Sequence, residues 1–307
     1  MTRRIAGIGF IAWVALWLPI PFAARVPGLI DRLFLLAPLA IVPLGMRLQA
    51  LSPRVRLAQP LCAALVVVSF LSRTGTSAAL LAVPWLALGV MCALIGLARV
   101  LRGGLRHVEL VCLNAALVFW PVGCVWLVIS RLGVNPLGFS DDIVLLTAVH
   151  FHFAGFAALT ILGMIGRFAE GMLYRLTAWG AITGIPFLAL GITFSPSLEC
   201  AAALLLAASL VSAAGITAFV VLPSVTERGA KVLLAVSAAS VAAAMAFAGI
   251  YALGKYTGRD WLEIPAMARV HGAANALGFS LCGLVGWNVV GESGDRHHCP
   301  RRAVGEL

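Results

Sequence analysis

Charge is what this sequence has least of. Only 11% of its residues are Asp, Glu, Lys or Arg, against roughly 25% in soluble domains. No two cysteines stand in a C-x-x-C spacing, no DDxxD-type diphosphate motif occurs, and no basic run interleaves with aromatics. Each absence excludes a class. Without a basic patch, the net charge of +10 does not read as nucleic-acid binding, and no nucleic-acid partner is expected. Cys62, Cys92, Cys112, Cys124 and Cys282 lie inside apolar stretches, where cysteine behaves as a small hydrophobe. They imply neither a disulfide framework nor a thiolate metal site. No internal repeat is visible, so an inverted-repeat transporter architecture has no sequence support.

What the chain does have is apolar surface. Hydrophobic residues make up 62% of its 307 positions, with a mean hydropathy of +1.02. They come in blocks of about 20, the length that crosses a bilayer core as a helix. Ten blocks can be marked, near 5–23, 33–46, 58–71, 78–98, 107–129, 142–165, 174–194, 197–221, 231–252 and 264–290. The fold class is therefore all-α: a polytopic transmembrane bundle of about ten helices forming one domain over 1–307. Residues 292–307 read as a short, disordered cytoplasmic tail. The second and third blocks are short, which fits either tilted or re-entrant helices. The first, with its basic start, reads as an uncleaved anchor because its apolar stretch is too long for a removed signal.

Positions of the charges set the orientation. With the N-terminus in the cytoplasm, fifteen of the 22 Lys and Arg fall on the cytoplasmic side and seven outside. That bias predicts both termini inside. Six of the twelve acidic residues fall outside: Asp31, Asp141, Asp142, Glu199, Asp260 and Glu263. They make the outer face locally acidic.

Ionisable residues within hydrocarbon are costly and by default mark function. Three histidines qualify: His150 and His152 in V-H-F-H-F-A-G-F, and His271 in H-G-A-A-N-A-L-G-F. Both motifs begin seven or eight residues into their blocks, about 10–12 Å deep at 1.5 Å per residue. His150 and His152 point about 200° apart on a helix, whereas His271 and Asn275 share one face. The expected site gathers one of the first pair with His271 and Asn275. Asp141, Asp142, Glu199 and Asp260 stand at its mouth, and Phe156 and Phe279 on its walls. The plainer alternative is a set of interhelical hydrogen bonds. No metal is expected, since an H-x-H pair on a straight helix cannot face one ion, and no cofactor is implied. His297, His298 and Cys299 form only a weak metal-like cluster in the tail.

On the two motifs Val149–Phe156 and His271–Phe279, the sequence resembles the YndJ-like bacterial integral membrane proteins, mainly over residues 107–291. The resemblance implies a multi-pass protein of the bacterial cytoplasmic membrane, with a transporter label but no named substrate. Members of the type often carry a further region after the last helix. Two functions compete. The first is a transporter whose histidine site responds to protons, because imidazole switches charge near neutral pH. The second is a membrane enzyme, an isomerase, cyclase or hydrolase acting on a lipid or isoprenoid by acid–base chemistry. Both imply membrane lipid and a small-molecule or lipid-like substrate as partners.

Overall fold

Glycine and proline set the helix ends. Gly104 and Gly133 follow long helices with φ of +66° and +78°, the left-handed conformation that closes a helix C-terminus at little cost to glycine. Pro53 and Pro196 each open a helix, where the missing N–H has no partner to lose. A computed structural model describes residues 2–18, 23–259 and 261–292. Ten helices follow in order: α1 (Thr2–Ala15), α2 (Leu29–Leu48), α3 (Pro53–Leu71), α4 (Thr76–Gly103) and α5 (Val108–Leu132), then α6 (Asp141–Ile165), α7 (Met172–Phe194), α8 (Pro196–Ser224), α9 (Arg228–Tyr256) and α10 (Ile264–Glu292). There is no strand among the described residues.

Nine of these, α2 to α10, are long and apolar enough to cross a membrane. The chain is an all-α membrane protein. The second and third blocks are longer than their apolar cores imply. Asp31 and Arg32 at the start of α2, and Arg54 and Arg56 at the start of α3, continue the helices as polar turns. Conversely, α1 spans 14 residues, about 21 Å, shorter than its apolar block. Of the tail, only Glu292 is described, and it closes α10; His297, His298 and Cys299 lie outside the described residues, as does Asp260.

Several helices widen into π turns, at Ala37–Ile41 in α2, Phe151–Ala158 in α6, Thr217–Val221 in α8, and both Ala268–Gly272 and Ala274–Leu281 in α10. Such widenings recur at functional positions. The stretches in α6 and α10 coincide with the two histidine motifs.

The chain divides into two compact units, residues 1–102 with 114–157, and 103–113 with 158–307. In the first, α2 is the central element, with 83% of its apolar window buried. The helices α4 and α5 meet closely through glycine. A Cβ on Gly89 would lie 2.9 Å from the Cys124 sulfur, and one on Gly96 2.7 Å from the Asn114 carbonyl oxygen. Arg99 finishes α2 from outside, donating from Nη1 to the carbonyl of Gln49 at 2.9 Å. In the second unit α7 and α8 form a tight hairpin joined at Ser195, and α8, α9 and α10 pack in sequence. The pairing of α9 with α10 is antiparallel, Ala244 meeting His271 and Ser237 meeting Phe279.

Candidate functional site

In the first unit, His152 sits on the π turns of α6 with no exposed surface. Its Nδ1 lies 2.8 Å from the Ala148 carbonyl oxygen, which can only accept. Its Nε2 lies 3.0 Å from the Trp85 indole N–H, which can only donate. Donor and acceptor rules assign the neutral tautomer with the proton on Nδ1. Phe34 meets the ring edge-on with centroids 5.0 Å apart, and Trp120 does so at 6.4 Å. The Cys124 sulfur is 4.0 Å from Nε2. Gly123 makes the approach possible, because a Cβ there would lie 2.7 Å from Nδ1. Phe156 continues the cluster, fully buried with its ring centroid 5.4 Å from that of Trp120, and it leaves no room for a side chain at Gly45. His152 is a keystone sealed in aromatic packing, with both ring nitrogens committed.

Its neighbour is different. His150, on the opposite side of α6, is half-buried and stands edge-on to Phe151 with centroids 5.8 Å apart. The opposed facing read from the H-x-H spacing is what separates the two environments. Asp141 and Asp142 are exposed in the first turn of α6, where the helix dipole favours carboxylates.

In the second unit, His271 lies on the π turns of α10, half-buried against α9. Its Nδ1 is 2.9 Å from the Ala244 carbonyl oxygen, and its Nε2 is 3.1 Å from the Asn275 amide nitrogen. The same amide also donates to the His271 carbonyl at 3.0 Å. This ring, too, is neutral with its proton on Nδ1. The difference lies in the second partner: an amide presents a donor at one end and an acceptor at the other, whereas an indole has only a donor. If Asn275 turns its amide over, Nε2 can hold a proton and still be hydrogen-bonded. His152 has no such option.

Phe279, one turn beyond Asn275, is buried and lines a small cavity of about 10 Å³ with Ile161, Val241 and Trp287. That is near the minimum for one water. The Trp287 indole nitrogen is buried without a partner among the described residues. Glu199 pairs with Lys255 at 2.7 Å, tying the start of α8 to the end of α9. The structure thus brings His271 to Asn275, and gives His152 partners drawn wholly from its own unit. Asp141 and Asp142 belong to the first unit, and Glu199 to the second. Among the described residues, no three His, Cys, Asp or Glu gather in a metal-binding group.

Sequence reasoning missed Trp85. Both Trp85 and Trp13 are buried. Trp13 donates to the Arg32 carbonyl at 2.6 Å. The available signal was depth, since Trp85 is ten residues into α4, too far for a headgroup-level ring.

The family model described as YndJ-like protein matches residues 32–279. The match starts well before residue 107, so the likeness takes in most of the first unit as well. One curated relative is an uncharacterized membrane protein, YndJ, of Bacillus subtilis (strain 168), 28% identical over 234 residues. The aligned stretch takes in 75% of this chain and 41% of the relative, so the chain spans less than half of that protein. No solved structure matches.

Proposed function

The chain belongs to the YndJ-like family of membrane proteins, and from that premise we propose that it is transporter-like, with the His271–Asn275 pair as its proton-accepting substrate site. The proposed setting is the bacterial cytoplasmic membrane with both termini inside. One observation supports this reading above the others: the Nε2 of His271 faces a reversible amide in a half-buried position. The ring can gain a proton and keep a partner at Nε2, the amide giving up its bond to the His271 carbonyl, and an arriving polar substrate can take the place of the amide. The α9 group that meets the ring is the Ala244 carbonyl, and Ser240 on the same helix packs farther along, against Gly278. The charged residues Glu263 and Arg269 are exposed nearer the start of α10. A cation formed at His271 would therefore depend on the ligand for its counter-charge.

Metabolite and lipid profiling of a deletion strain separates transport from catalysis. Transport predicts that an unmodified small solute changes its distribution between cells and medium. Restoring wild-type protein should reverse this, and restoring His271→Gln should not. If a lipid instead changes its chemical identity, the chain is an enzyme and this reading fails.

A further inference from the structure

Cations gather at the end of the first unit where α2 and α4 begin and α3 and α5 finish. Arg131, in the last turn of α5, is only 2% exposed. Its Nε donates to the Ser69 hydroxyl at 3.3 Å, and its Nη2 to the carbonyls of Ser69 and Ser72 at 3.0 and 3.1 Å. Its guanidinium lies over the Phe70 ring, 4.8 Å from the centroid. All of these partners are neutral. The Arg25 backbone N–H donates to the Leu71 carbonyl at 3.2 Å, which sets Arg25 beside the Ser69 and Ser72 carbonyls that hold Arg131. Asp31 is already engaged: its Oδ2 stands 2.8 Å from Arg25 Nη1 and accepts the Gly28 N–H at 2.7 Å. On the next residue, Arg32 has its Nε buried without a partner among the described residues, its guanidinium resting over Trp17. Of these three arginines, Arg25 alone is shown paired with the carboxylate among the described residues. A desolvated guanidinium without a counter-charge is costly, and orientation from the charge bias puts this end on the side that collects fewer cations.

We propose that the Arg25–Arg131 pair, opened by the start of α2, is a binding site for a phosphate-type oxyanion. Guanidinium groups match such an oxyanion in charge and in forked hydrogen-bond geometry. The oxyanion is either a lipid headgroup or a free ion. A lipid source would also use the half-exposed Trp17 ring, which suits the headgroup level.

The test measures thermal stability of the purified full-length protein, titrated with phosphatidylglycerol, phosphatidylcholine or inorganic phosphate. A ligand bound only by the folded state raises the melting temperature with concentration. Phosphatidylglycerol acting alone identifies the headgroup, and phosphate acting without lipid identifies a free ion; phosphatidylcholine should have little effect. Apparent affinity should fall about tenfold or more in Arg131→Gln. Arg25→Gln, whose side chain is 35% exposed, covers the case in which Arg131→Gln fails to fold. Lys231→Gln should bind as wild type does. No shift with any anionic probe, or a shift undiminished in Arg25→Gln, would overturn the site. None of these outcomes bears on His271.

Discussion

At the scale of single residues, two membrane histidines share a tautomer and differ in what they can become. His152→Leu strands the buried Trp85 N–H and should cost about 1–3 kcal/mol of stability, read by thermal or detergent denaturation. Gly123→Ala should cost a similar amount by overpacking the same contact, about 1–3 kcal/mol. Truncating His271 should leave insertion and stability nearly intact while removing activity. Spacing alone exposed the His271–Asn275 pair, because four residues is one helical turn. The His152–Trp85 bond joins positions 67 apart in sequence, and no local pattern announces such a contact. Hence the sequence could place the histidine motifs at matching depths but could not tell the sealed histidine from the adaptable one.

At the scale of helices, the α7–α8 hairpin depends on a missing side chain. A Cβ on Gly191 would meet the backbone nitrogen of Glu199 at 2.3 Å, and backbone cannot swing aside. Gly191→Ala should therefore destabilise the protein measurably, whereas Gly7→Ala, with nothing within 4 Å, should be neutral or slightly stabilising through helix propensity. A denaturation series comparing the two checks this. Glu199→Gln should change stability by less than about 1 kcal/mol, because Lys255 is half-exposed and surface ion pairs contribute little. Helix number and order were legible because apolar length is a strong signal. Their ends were not, since polar first turns carry no apolar periodicity. Nor were the π widenings over both histidine motifs, which shift side chains off the regular 100° step.

For the whole molecule, the fifteen-to-seven distribution of Lys and Arg predicts both termini in the cytoplasm. Reporter fusions in the Arg99–Arg106 loop should report a cytoplasmic location, and an external one would reverse the topology. Whether the two compact units unfold together is a separate matter. A single cooperative transition by calorimetry is expected if residues 1–307 form one domain; two resolved transitions would make each unit a domain.

The central claim is that His271, not His152, carries the function of this YndJ-like membrane protein. Its most direct test is the solute profile of a deletion strain restored with His271→Gln, alongside the abundance of that variant in the membrane. The account predicts wild-type abundance together with the deletion profile. A wild-type profile from His271→Gln, or loss of the variant from the membrane, would contradict it.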